Sequence, residues 1–372
     1  MRQLALLAFI IIFTVACEHN SVGYEELERP IGNPQYLELG TTSTGRWSYR
    51  KFIPLGTSSM LILGKNAQYE SRVLLSFNLP DTTIALDSLL SAKLILYTRQ
   101  AGAVQFSIYP TRPSSPWREA FVTWTRMDEN VPWDSAGGDF YPQALAQGIS
   151  ITPDSTVINL NLNLLDTLFN HASGVILIPE NFSDSFAVAY AKEFGSKGAK
   201  LVLQFPRTTK TYPVKEDAHI ITTADLPGVQ DYWLGSGVVY RTLFKFNLAS
   251  LPQEPLTITF AELYLSIQDE FSIFDTLKIV AKRVTDSMPF SELTRFSSTV
   301  SASKSYIVSQ DSTLVIDLRN LVQFWVTNPD SNFGIVLTTE PENFGLVRLK
   351  INPQPPSVRL KIGYITAPPG RF

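Results

Sequence analysis

The 372-residue chain is long enough for about two domains, each able to bury its own core. With 44% apolar and 17% charged residues it is too apolar for a disordered chain and too polar for a multi-span membrane protein. Thirty-one Lys and Arg against 34 Asp and Glu leave a net charge of −3, which lacks the basic excess of a nucleic-acid binder, and one Cys with three His excludes an internal disulfide framework and cysteine-rich zinc sites.

At the N-terminus Arg2 precedes an apolar run from Leu4 to Val15. The run has the length of a signal-peptide core and falls short of the roughly 20 residues of a membrane span. It ends in Thr14-Val15-Ala16-Cys17, which resembles the bacterial lipobox. That resemblance implies a signal peptide over 1–16, cleavage before Cys17 and lipid attachment to its thiol. Several acyl chains anchor a protein stably. The expected location is therefore the bacterial cell envelope, on the outer membrane or cell surface, with the membrane as a partner through the lipid. Residues 17–45 are polar and read as a tether, with Tyr36–Leu39 open to packing as an extra strand.

From about Arg46 onward, short runs of alternating polarity are separated by Pro, Gly, Asn, Asp and Ser, the signature of a sandwich or barrel. An internal repeat organises them. ESRVLLSFNL at 70–79 recurs as VYRTLFKFNL at 239–248, and each copy leads to a second strand, Ala92–Leu96 or Ala261–Leu265. VINLNLNLLDTLFN at 157–170 answers VIDLRNLVQFWVTN at 315–328, a strand followed by helix-like spacing. The tetrapeptide Pro-Glu-Asn-Phe follows at 179–182 and at 341–344. The expected fold is all-β: two tandem jelly-roll-like β-sandwich domains, at 46–206 and 216–366, with short helices in connections. Residues 207–215 read as the linker and 367–372 as a tail.

The repeat resembles the DNRLRE family and the related disaggregatase-like and alginate-binding modules. The first copy carries the resemblance in Arg72–Leu79 with Ala92–Leu96, in Pro116-Trp117-Arg118-Glu119 leading to Val122-Thr123-Trp124, in Val131-Pro132-Trp133 before Gly137-Gly138-Asp139-Phe140, and in the terminal block. The second keeps the first and last elements and a faint echo of the middle, Pro289–Glu292 ending near Phe296. The resemblance implies secreted or surface β-sandwich modules, some of them carbohydrate binders.

Trp117, Trp124 and Trp133 either stack on sugar rings or plug the sandwich. Trp117, Arg118, Trp133, Asp134 and Asp139 are the candidate ligand contacts of the first module. Asp128, Glu129, Asp134 and Asp139 are the candidate calcium ligands, although no EF-hand pattern is present; no other cofactor is implied. Arg99, Arg112, Arg118 and Arg126 suit an acidic polysaccharide such as alginate. His19, His171 and His219 lie far apart and lack a nucleophile motif, while Glu119 with Asp128, or Glu193 with Asp184, are carboxylate pairs without a selecting motif. The expected function is non-catalytic binding of glycan or extracellular polysaccharide through the first module. The alternatives are a structural, adhesion or envelope-docking role and, further off, a polysaccharide-degrading enzyme.

Overall fold

The computed structural model describes residues 34–41, 45–79, 86–112, 116–228, 230–287, 289–354 and 356–366. The signal peptide 1–16, Cys17, His19, most of the tether and the tail 367–372 lie outside the described residues.

The fold is all-β. Its strands are β1 (Gln35–Gly40), β2 (Arg46–Phe52), β3 (Met60–Lys65), β4 (Tyr69–Phe77), β5 (Ser91–Gln100), β6 (Gln105–Pro110), β7 (Ala146–Ser150), β8 (Ser155–Asn159), β9 (Val175–Pro179), β10 (Ala187–Tyr190) and β11 (Lys200–Phe205). They continue as β12 (Thr208–Thr223), β13 (Tyr232–Ser236), β14 (Val238–Phe244), β15 (Leu256–Ser272), β16 (Thr276–Val284), β17 (Phe296–Ile307), β18 (Thr313–Asp317), β19 (Ile335–Thr339), β20 (Val347–Ile351) and β21 (Val358–Thr366). The helix-like stretches of the two terminal blocks form short helices, Leu165–Asn170 and Arg319–Thr327.

Two sheets result, one of ten strands and one of eleven. Each closes around its own apolar core because alternate strand residues point inward. Val73, Leu75, Leu94, Leu96, Phe106 and Leu201 belong to the first core. Phe244, Phe246, Leu263, Leu265, Ile279 and Leu360 belong to the second.

The domain boundaries differ from those expected. β2, placed by the sequence at the head of the first sandwich, pairs with β14 of the second sheet, with Thr242 opposite Ser48. β1, inside the expected tether, pairs with β21 of that sheet from Gln35↔Tyr364 to Gly40↔Arg359; the extra strand at Tyr36–Leu39 is therefore present. The expected linker 207–215 is strand from Thr208 onward: its Thr and Tyr residues suit a pleated sheet, and only Pro213 and the flanking charges gave it a linker's look. β12 pairs along its first half with β11 and along its second half with β4, so 216–223 completes the first sheet rather than opening the second.

The two repeats thus exchange strands. β12 precedes the second repeat and seals the first between β11 and β4, whereas β1 and β2 precede the first repeat and seal the second against β21 and β14. The first module, about 53–223, is an insertion within the second, and two crossings join them. A shared apolar cluster that includes Leu55, Tyr69, Phe186, Trp233, Tyr240 and Leu346 fills the junction. Arg348, almost fully buried there, pairs with Asp225 and Asp269, and Arg50 Nη1 donates to the Thr223 carbonyl at 2.7 Å.

Candidate functional site

The tryptophan-rich loop of the first module is a plug. On β4 the residues Glu70, Arg72 and Leu74 point outward, and the loop 116–140 covers this face together with Ala218 and Ile220 of β12. Trp117 is 1% exposed and Trp133 5% exposed, so neither offers a stacking face. Trp133 Nε1 donates to the Thr123 carbonyl at 2.9 Å within the loop. Trp124 is half-buried beneath the Arg72 guanidinium, 4.7 Å from its ring centroid, while Arg72 Nη1 donates to the Gly137 carbonyl at 2.8 Å. Gly137 has φ +95°, and a Cβ there would stand 2.7 Å from Arg72 Nη1 and 2.8 Å from the Trp124 ring. Only glycine lets this loop lie so close.

The other candidates of this loop are likewise taken. Asp139 is buried and accepts the backbone N–H of Asp134 and of Ser135, each at 2.8 Å. Its oxygens pin the turn, and Asp134 contributes its backbone while its side chain stays exposed. Arg118 pairs with Asp128 at 2.6 Å. The remaining arginines do not converge: Arg126 reaches the Glu129 carbonyl, Arg99 lies over Phe274 of the second module, and Arg112 is exposed. The structure thus corrects the reading of Trp117, Trp133 and Asp139 as ligand contacts. The packing demand of an otherwise naked sheet face claims them.

Glu119 and Glu193, one from each carboxylate pair, meet Asp217. Oxygens of the three lie within 4.8 Å of one another. Asp217 is fully buried, accepts the Lys192 N–H at 2.8 Å, and is pushed up to about 7 by burial. The Lys192 ammonium, bonded to Glu119, already supplies a cation here. Two residues along β12, His219 is fully buried with both ring nitrogens unpartnered, and burial pushes it down to about 3. His171 is exposed beside Asp166. Asp217 escaped notice because it lies just past the expected linker, in the span assigned to the second module.

An open aromatic face lies on the second module. On β1, β21 and β15 the inward residues include Leu37, Leu39, Leu360, Ile362, Ala261 and Leu263. Alternation turns Tyr36, Glu38, Arg359, Lys361, Phe260, Glu262 and Tyr264 outward. Tyr36 and Phe260 both register with Gly363, and Tyr36 is 73% exposed. A Cβ on Gly363 would stand 2.4 Å from the Phe260 ring, so the missing side chain lets that ring lie flat on the sheet. The Tyr36 and Phe260 ring centroids are 5.9 Å apart. Four residues along β15, Tyr264 lies about 13 Å away at the rise of a strand. Arg359 and Lys361 stand over its ring, 5.2 Å and 4.8 Å from the centroid. The Tyr264 hydroxyl donates to Glu262 at 2.6 Å.

The corresponding face of the first module is poorer. There Lys200 stands over Tyr97 at 5.0 Å, and Lys93 and Ile95 occupy the places of Glu262 and Tyr264. The alternation Phe260-Ala261-Glu262-Leu263-Tyr264-Leu265 was readable in the sequence. What it could not tell was that β1 would bring Tyr36 beside it.

No protein family model matches the chain, and no curated protein matches it. Among solved structures, the tandem CBM22-1–CBM22-2 domain of Paenibacillus barcinonensis Xyn10C aligns with 91% of this chain and 99% of its own, at 9% identity and a TM-score of 0.15. Infectious bursal disease virus, Gx strain, aligns over 91% of this chain and 77% of its own, at 10% identity and a TM-score of 0.11. Likeness at this level carries no argument about fold or function.

Proposed function

We propose that this chain is a non-catalytic, lipid-anchored cell-envelope protein that binds polysaccharide through the outer face of β1, β21 and β15. One observation carries the reading: a row of outward rings, Tyr36, Phe260 and Tyr264, on a sheet, with the cations Arg359 and Lys361 over Tyr264. Rings of this kind cover the apolar faces of sugars, while the flanking polar groups meet hydroxyls and charges. The sheet fixes the rings before binding, which lowers the entropy lost on association. The lipobox-like segment ending at Cys17 supports the anchor, and the resemblance of the first repeat to DNRLRE-type modules supports a surface location. Binding moves to the second module because the tryptophans of the first are committed to packing.

A second reading, a structural or docking role without glycan, draws on the exchanged strands and the shared cluster at the junction, which join the modules stiffly. A glycan array separates the two. Retention of the chain on one or more polymers, lost in the double variant Phe260→Ala/Tyr264→Ala, supports the binding reading. Absence of binding to every neutral and uronic polymer at high micromolar concentration favours the structural one.

A further inference from the structure

We infer that the polymer taken by the face of β1, β21 and β15 is a neutral one, held over three consecutive sugar units along the strands; the inference rests on the binding reading above. β21 stands between β1 and β15, so the outward residues form rows that cross three strands. Tyr36, Gly363 and Phe260 make the first row. Glu38, Lys361 and Glu262 make the second, and Gly40, Arg359 and Tyr264 the third. Successive rows are two residues apart along each strand, about 6–7 Å.

The rows differ in chemistry. In the first, two rings meet across a position that has no side chain, with their planes inclined by 36°. They form one apolar platform, which the face of one sugar ring covers. In the third, the Arg359 guanidinium and the Lys361 ammonium stand over the Tyr264 ring. Their N–H groups are donors for the ring and hydroxyl oxygens of another sugar.

The second row selects the charge of the ligand. Lys361 is in register with a carboxylate residue on either side, yet its ammonium lies over Tyr264 in the next row. Among the described residues neither Glu38 nor Glu262 forms an ion pair. Glu38 is exposed, and Glu262 accepts the Tyr264 hydroxyl at 2.6 Å. A sugar over this row therefore lies between two carboxylates. Their oxygens accept hydroxyl hydrogens in charge-assisted bonds. A carboxylate or sulfate on the same sugar meets like charge instead, which costs affinity. Every unit of a uronate homopolymer is charged, so no register of such a chain avoids the row.

Isothermal titration of the full chain with two matched pairs tests this. The pairs are cellohexaose and mannohexaose, each beside the hexamer in which every C6 hydroxymethyl is oxidised to a carboxylate. A neutral hexamer is expected to bind at least tenfold more tightly than its oxidised partner. Glu38→Gln/Glu262→Gln, checked for folding by circular dichroism, is expected to bring that ratio below threefold. Glu129→Gln/Asp330→Asn, which removes two exposed charges outside the face, is expected to leave the ratio in place. An oxidised hexamer that binds within threefold of its parent overturns the inference, and so does a tenfold ratio that persists in the Glu38→Gln/Glu262→Gln variant. Along the neutral series, affinity is expected to rise at least fivefold from disaccharide to trisaccharide and less than fivefold from there to the hexamer. A steeper gain beyond three units overturns the three-row fit. If none of the four hexamers binds, the inference falls, and the glycan array decides the binding reading on its own.

Discussion

Asp217 and Arg46 hold the same place in the two repeats, one opposite Leu75 and the other opposite Phe244, and they carry opposite charges. The first module closes its corner on a buried carboxylate with a lysine at hand. The second places an arginine there, its guanidinium 5.4 Å from the Tyr232 ring and donating to the Pro353 carbonyl. Equivalence of fold has not meant equivalence of chemistry, and the difference lies in the strands that the repeats exchange.

The buried carboxylate makes the stability of the first module depend on pH. Burial raises Asp217 from 3.8 to about 7, so folding favours its protonated form. Its contribution is fully present below pH 4 and is lost as pH rises through 7. Asp217→Asn should match the wild type at pH 4 and exceed it by roughly 2–4 kcal/mol at pH 8. Urea denaturation at the two pH values measures this, and equal stability at pH 8 contradicts it.

His219 works in the opposite direction. Its folded value near 3 lies below the ordinary 6.5, so the neutral ring is the form that folds. That contribution is present above pH 6.5 and is lost as pH falls toward 3, a loss on the order of 4 kcal/mol. His219→Leu removes the imidazole and keeps an apolar side chain, so it should flatten this acid limb. Thermal melts from pH 7 to pH 3.5 would show the melting temperature falling less in the variant than in the wild type.

The exchanged strands define which fragment can fold. Residues 53–223 contain β12 and with it both partners that seal the first sheet. Residues 46–206, the span that the repeat suggests, lack β12 and carry β2, a strand of the other sheet. The first fragment should give a cooperative unfolding transition and dispersed NMR signals. The second should leave the edges of β4 and β11 unpaired and aggregate. Cooperative folding of 46–206 would contradict the exchange.

The tryptophan loop should matter for stability and not for binding. Trp133→Ala removes a buried indole and its bond to Thr123, at a cost of about 3–5 kcal/mol in the first module. Binding of any retained polymer, measured below the variant's melting temperature, should change less than twofold.

Much of the fold was legible in the sequence. Period-two alternation gave an all-β chain, the recurrence of 70–79 at 239–248 gave the duplication, and helix-like spacing at 165–170 and 319–327 marked the short helices. Strand partners were not legible, because alternation fixes which face a residue takes and says nothing of which neighbour it meets. β2 was therefore assigned to the first module, and β12 to the linker and the head of the second. The candidate site went astray for a related reason. A tryptophan in a loop reads the same whether it stacks on a ligand or covers Leu74 and Ile220, and only the geometry around Arg72 distinguishes the two. Phe296 over Arg241, at 5.2 Å, repeats the Trp124–Arg72 contact in the second module and explains the faint echo seen there.

The central claim is that polymer binding belongs to the face bearing Tyr36, Phe260 and Tyr264. The most direct measurement is isothermal titration of one retained oligosaccharide against the wild type, Phe260→Ala, Tyr264→Ala and Trp124→Ala. Loss of one ring contact of about 1–2 kcal/mol predicts a five- to thirtyfold weakening for Phe260→Ala and for Tyr264→Ala, with Trp124→Ala unchanged. Unaltered affinity in the first two variants, with binding lost in the third, would contradict it.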